Sequence, residues 1–196
     1  EVEKTWRAVE AGAVAVLEKP RYSDLVNKSG DATKLIQTVK LMSQVRVVRR
    51  WKRSSSTPPA RPVPIKVAPG RPREVKVVVM GASTGGPQTL HQILSRLPAD
   101  YPAPILLVQH ITPGFTAGFV DWLDRSCALR VRIAVHGERA VPGTVYVAPD
   151  GLQMKIDKVG GIAAVKDDPE NGLRPAVSYL FRSAAGAFGD KAVGVL

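Results

Sequence analysis

Val75-Lys-Val-Val-Val-Met-Gly-Ala-Ser-Thr-Gly-Gly-Pro-Gln88 is the stretch on which the reading of this 196-residue chain turns. A β-branched run ends at Gly81, small turn-forming residues follow, and beyond Pro87 the residues Leu90, Ile93, Leu94 and Leu97 recur at helical spacing. The pattern predicts strand, tight turn and helix. Gly81-Ala-Ser-Thr-Gly85 fits the G-x-S-x-G form, in which small neighbours allow a sharp turn that lifts a serine hydroxyl above the end of a sheet. Ser83 is therefore the candidate nucleophile. A dinucleotide fingerprint needs glycine where Ser83 stands, and a phosphate-cradling P-loop needs lysine where Pro87 stands, so both are excluded. A structural reading stays open at this point: the glycines let a helix pack close to a strand, with Ser83 as its N-cap.

Downstream, Tyr101-Pro-Ala-Pro104 leads into Ile105-Leu-Leu-Val108, an apolar run suited to a central parallel strand, and Gln109-His110 follows at once. Ligand chemistry in open α/β sheets gathers at the carboxyl ends of strands, which puts Ser83 and His110 at equivalent ends of consecutive strands. A serine hydroxyl is a weak nucleophile until a base takes its proton, so His110 is the candidate general base. His91, beside Leu90, reads as a solvated residue off the apolar stripe. His136 follows the strand-like Val131-Arg-Ile-Ala-Val135 and is an alternative base. Between them Phe115, Phe119, Trp122 and Leu123 form the core stripe of a helix.

From Val141 the texture changes. Thr144–Ala148, Leu152–Ile156 and Ile162–Lys166 are short runs separated by Pro149-Asp-Gly151 and Gly160-Gly161, and they read as antiparallel strands appended to the parallel sheet. Pro175 opens a helix that turns Val177, Leu180, Phe181 and Ala184 inward, and Ala192-Val-Gly-Val-Leu196 starts another strand. The expected fold class is α/β, a doubly wound, mostly parallel, Rossmann-like three-layer sheet with an appended antiparallel hairpin.

The net charge of +11 suggests nucleic acid until it is located. Residues 40–76 hold eleven Lys/Arg and one acid, so nearly all the basicity sits in one segment and the remainder is close to balanced. Within that segment, residues 49–73 combine Arg49-Arg-Trp-Lys-Arg53, a serine run and six prolines, which reads as a solvated linker with one docking aromatic, Trp51. No nucleic-acid partner is expected. The single cysteine, Cys127, excludes an internal disulfide and reads as a small buried hydrophobe. No apolar run approaches the roughly 20 residues needed to span a bilayer, so membrane insertion is not expected and the location expected is the cytoplasm.

Upstream, residues 1–11 carry Val2, Trp6 and Val9 on one helical face, Ala13-Val-Ala-Val-Leu17 reads as a covered strand, and Asp31 as the cap of a helix with Leu35, Val39 and Met42 inward. Gly12-Ala13 together with Lys19-Pro20 resembles the last strand of a response-regulator receiver domain. The resemblance implies that Lys19 contacts a phosphoryl group on an aspartate and that Pro20 shapes the loop. The aspartate and the acidic metal-binding residues of such domains lie upstream of this match, so Mg²⁺ is expected only for that phosphorylation site.

Taken together, Gly81-Ala-Ser-Thr-Gly-Gly86, Val108-Gln-His110, Pro142-Gly-Thr-Val-Tyr-Val-Ala-Pro149 and Arg174-Pro-Ala-Val-Ser-Tyr-Leu-Phe-Arg-Ser183 resemble the catalytic domain of the chemotaxis protein-glutamate methylesterases, the CheB family. The resemblance implies residues 1–48 as the C-terminal part of a receiver domain, 49–73 as a basic linker and 74–196 as a catalytic domain. It implies hydrolysis of methyl esters on chemoreceptor glutamates, deamidation of receptor glutamines, no cofactor for the esterase, and control by phosphorylation from the histidine kinase of the system. Ser83 falls on the family's nucleophile and His110 on its base. Thr84, at the helix start, offers a backbone N–H to an oxyanion.

The family's third triad member is an aspartate in a turn after the strand that begins here at Ala192, and Asp150, Asp167, Asp168 and Asp190 do not match it. These 196 residues are accordingly expected to be a fragment with little activity of its own, since loss of the orienting aspartate costs about 10⁴ in rate. Gln153, Ala176 and Ser178 depart from the family pattern, which bears on receptor contacts. The competing expectation is a catalytically impaired binding module that docks on a signalling partner.

Overall fold

The computed structural model describes Ala8, Ala11, Ala13, residues 30–43 and residues 74–196. Apart from Ala8, which is helical, Ala11 and Ala13, the helix expected over residues 1–11 and the strand leading to Lys19-Pro20 lie outside the described residues, as does the linker over 49–73. Within the unit Leu17–Arg73 the described element is one helix, α1 (Gly30–Ser43). Asp31 is its second residue and not its cap; of the expected stripe, Leu35 is half-buried while Val39 is 58% exposed.

In the unit that holds residues 74–196 the elements are β1 (Val77–Ala82), α2 (Gly86–Leu94), β2 (Ile105–Gln109), α3 (Thr116–Ser126), β3 (Arg130–Ile133), β4 (Thr144–Val147), β5 (Gln153–Ile156), β6 (Ile162–Val165), α4 (Val177–Phe188) and β7 (Ala192–Val195). Five strands form one parallel sheet in the order β3-β4-β2-β1-β7, and β5 pairs antiparallel with β6. The expected doubly wound α/β fold with an added hairpin is what forms.

Two-residue periodicity divides the core. Val78 and Met80, Ile105 and Leu107, and Val145 and Val147 face Leu90 and Leu94 of α2 and Phe119 and Leu123 of α3. The alternate residues Val77 and Val79, Leu106 and Val108, and Tyr146 face Leu180 and Ala184 of α4 and Met154, Ile156 and Ile162 of the hairpin. Each fully buried Val or Leu is worth about 1.5–3 kcal/mol relative to exposure, so neither face of such a sheet is stable uncovered. That is why β1 and β2 read as continuous apolar runs and not as alternating ones.

One strand differs from expectation. Thr144–Val147 is not part of the antiparallel set: β4 lies parallel between β2 and β3, with Leu106 opposite Tyr146 and Val131 opposite Val145. Its four residues are all buried, the signature of a strand covered on both faces. The turn residues on either side, Pro142-Gly143 and Pro149-Asp-Gly151, obscured this, because β3 and β4 are joined by an irregular crossover over residues 134–143 that contains no helix.

Candidate active site

The turn after β1 is held by three glycines, each for a separate reason. At Gly81 a Cβ would lie 2.2 Å from Cγ1 of Val177, so the first turn of α4 can approach the strand only because this side chain is absent. Gly85 has φ +74°, a left-handed conformation that favours glycine, and it caps α2. At Gly86 a Cβ would lie 2.1 Å from Oε1 of Gln109. Ser83 stands exposed between them. It is not the N-cap, since Gly85 holds that position, and among the described residues its hydroxyl has no hydrogen-bond partner.

His110 reaches the same place from the neighbouring strand. Ala82 is opposite Gln109 in the β1–β2 register, so Ser83 and His110 occupy the next opposed positions, and the His110 N–H donates to the carbonyl of Ala82 at 2.9 Å. Ser83, Thr84 and His110 line one cavity of about 500 Å³, with an apolar wall that includes Leu90, Ile93 and Val177. Nε2 of His110 is buried and, among the described residues, has no hydrogen-bond partner. The two side chains share the cavity without being hydrogen-bonded to one another.

Thr84 differs from expectation in one respect. The helix begins at Gly86, so Thr84 belongs to the turn and not to the helix start. Its backbone N–H has no acceptor among the described residues. The positive end of α2 still lies one residue beyond the turn and favours negative charge there.

Sequence reasoning passed over Gln109. It is the last residue of β2 and only 6% exposed, and its Nε2 donates to the carbonyls of Ser83 at 2.9 Å and of His110 at 2.8 Å. The available signal was a polar residue closing an otherwise apolar strand. Gln153 was read as bearing on receptor contacts, but it is fully buried: it donates to the carbonyls of Asp168 and Leu173 and accepts from Ala176 N–H. It shapes the loop ahead of α4 from inside the fold.

Asp150, Asp167 and Glu170 are engaged elsewhere. Asp150 accepts from Gly114 N–H at 2.8 Å and from the Thr116 hydroxyl, tying the loop after β4 to the start of α3. Asp167 accepts from the Tyr179 hydroxyl. Glu170 accepts from Arg182, which with a contribution from Ser178 holds its carboxyl down to about 2. Among the described residues no carboxylate is hydrogen-bonded to His110.

The other histidines separate from the site. His136 is exposed after β3, with β4 and β2 between its strand and β1, so it is no alternative base for Ser83. His91 is half-buried and stacks on Trp122 at 5.0 Å, where a solvated side chain was expected; the α2–α3 contact gives its ring an aromatic face. Cys127 is half-buried against the core, and burial pushes its thiol up, which makes it a poor nucleophile. Lys19 lies outside the described residues. Among the described residues no three His, Cys, Asp or Glu side chains gather as a metal-binding group, and no helix is long and apolar enough to cross a membrane.

A family model described as CheB methylesterase matches residues 78–196. A protein-glutamate methylesterase/protein-glutamine glutaminase of Syntrophus aciditrophicus is 54% identical over 204 residues, which cover 100% of this chain and 56% of that protein. One from Nitrosospira multiformis is 49% identical over 201 residues, covering 100% of this chain and 55% of the relative. The chain thus spans about half the length of the curated relatives it matches. The crystal structure of the Thermotoga maritima CheB methylesterase catalytic domain superposes with a TM-score of 0.58 at 39% identity, covering 61% of this chain and 65% of that one.

Proposed function

The chain belongs to the CheB methylesterase family, and from that premise we propose that the protein hydrolyses methyl esters on glutamate side chains of chemoreceptors, releasing methanol, and deamidates receptor glutamines. The observation that carries this reading is the placing of Ser83 and His110 at opposed positions beyond the ends of adjacent parallel strands, on one cavity.

In the proposed reaction Ser83 Oγ attacks the ester carbonyl while Nε2 of His110 takes the hydroxyl proton. Negative charge develops on the former carbonyl oxygen and is met by the Thr84 N–H in the turn. The tetrahedral species collapses, the C–O bond to the methoxy group breaks, and methanol leaves with the proton returned by His110. Water, deprotonated by the same imidazole, then attacks the acyl-serine and frees the glutamate carboxylate. A primary amide follows the same course and releases ammonia.

The proposal extends to the rest of the chain. Residues 1–48 are assigned to the end of a receiver domain with Lys19 as its phosphoryl contact, 49–73 to a linker and 74–196 to the catalytic domain. The histidine kinase of the system is the proposed phosphoryl source, and the cytoplasm the proposed location.

The test is methanol release from methylated receptor by the intact natural protein and by its Ser83→Ala variant. A loss of at least about 10³-fold is expected on removing the nucleophile of such a set. Equal release by the two proteins rules out Ser83 as the nucleophile and the proposal with it.

A further inference from the structure

We infer that Gln109 is a positioning residue that holds the Thr84 amide and the His110 imidazole in one frame, so that a single side chain sets the oxyanion donor against the base. The inference rests on the hydrolase reading of Ser83 and His110 and adds a residue to it.

The carbonyl of Ser83 accepts two hydrogen bonds, from Gly86 N–H at 2.9 Å and from Nε2 of Gln109 at 2.9 Å. That carbonyl and the Thr84 N–H belong to the same planar peptide group and point in opposite directions. Drawing the oxygen inward onto Gln109 therefore turns the N–H outward, and the Thr84 N–H has no acceptor among the described residues. The second hydrogen of Nε2 meets the carbonyl of His110 at 2.8 Å, while the His110 N–H is fixed on Ala82. The His110 backbone is thereby pinned on both sides, which leaves the imidazole only its side-chain torsions.

The chemistry of the contact selects glutamine. Two carbonyl oxygens require two N–H donors on one uncharged atom, which an amide nitrogen has and a hydroxyl or carboxylate lacks. The same requirement fixes which end of the amide faces the carbonyls. Oε1 is left against Gly86, buried and without a partner among the described residues, where any Cβ would collide with it. Gly86 is thus needed for the position of Gln109, with a second close approach of such a Cβ, 2.8 Å from Cβ of Ala82, and not for its own conformation.

The experiment uses the intact natural protein and compares wild type, Gln109→Met and Gly86→Ala. Methionine keeps the length of glutamine and removes both donors; alanine keeps the amide and pushes it off its position. Steady-state hydrolysis is measured together with inhibition by a trifluoromethyl ketone analogue of the ester, whose adduct with Ser83 carries the same oxyanion. Removing one oxyanion donor typically costs about 10²–10³ in kcat, so displacing it is expected to lower kcat about 10–100-fold with KM within about twofold. The ketone should weaken by a matching factor.

Gly86→Ala should show the same pattern at smaller amplitude, and it answers the question if Gln109→Met does not fold. Folded variants whose kcat stays within about twofold of wild type overturn the inference, as does a fall in kcat with undiminished binding of the ketone, because a merely structural glutamine would give either. A wild-type protein without Ser83-dependent turnover removes the hydrolase reading and this inference together. A wild type that turns over beside equally active variants removes the inference alone.

Discussion

Gln109 and Gln153 do similar things at opposite ends of their strands, and the difference between them separates a site from a scaffold. Each is buried, and each spends its amide N–H groups on two loop carbonyls, those of Ser83 and His110 for Gln109 and those of Asp168 and Leu173 for Gln153. Gln153 also accepts from Ala176 N–H, so its hydrogen bonding is complete. For Gln109, by contrast, Oε1 of the amide itself is buried without a partner among the described residues, as is Nε2 of His110; the loop at Gln153 carries one such atom, Nε of Arg174, but the Gln153 amide has none. A satisfied buried amide specifies one loop conformation. Unpaired buried polar atoms are costly, and they collect where a group is kept available for something else.

The contrast is sharpened most by removing the satisfied amide. Gln153→Leu leaves the Asp168 carbonyl and the Ala176 N–H without their partners and takes one of two hydrogen bonds from the Leu173 carbonyl, which keeps Glu170 N–H. At about 1 kcal/mol or more for each orphaned group the variant should lose about 2–4 kcal/mol of stability, read from the denaturant midpoint. Its folded molecules should retain wild-type kcat. Normal stability with lowered kcat would place Gln153 on the functional side and dissolve the distinction.

A smaller effect is expected at Glu170, which latches the same loop from outside. Its backbone exchanges hydrogen bonds with Leu173, and its carboxylate pairs with Arg182. The folded protein holds this carboxyl at about 2, below its ordinary 4.5, so it favours the charged form. The stabilisation is therefore present above about pH 4.5 and is lost as pH falls toward 2. Wild type should melt slightly above Glu170→Gln near neutrality, with the gap closing across that acid window. A gap that is constant from pH 7 to pH 2 means the ion pair contributes nothing to holding the loop.

The same contrast explains what could be read in advance. The strand-turn-helix at Ser83, the β2 run and the inward faces of α3 and α4 are legible because apolar burial imposes a period. His110 is legible because a histidine directly after a covered strand falls where such sheets do chemistry. Neither glutamine has a periodic signal: one polar residue at the end of an apolar strand looks the same whether it faces water or two carbonyls. The prolines and glycines that flank β4 suggest an antiparallel strand, whereas it pairs parallel and is buried on both faces. The helix after Ser83 starts within a residue of Pro87, as its sequence suggests, but Gly85 in its left-handed conformation sets the cap and leaves Thr84 in the turn. Helical spacing makes His91 look solvated because it does not reveal the Trp122 ring of the next helix.

The most direct measurement is covalent labelling of the intact natural protein by a fluorophosphonate, located by peptide mass and compared with its His110→Ala variant. Labelling of Ser83 that falls at least about 10²-fold in rate when His110 is removed is the expected result, because a positioned base typically contributes 10²–10⁴ to such a step. Labelling that spares Ser83, or that reaches it at an unchanged rate without His110, means that the two residues are neighbours in the fold and do not act as nucleophile and base.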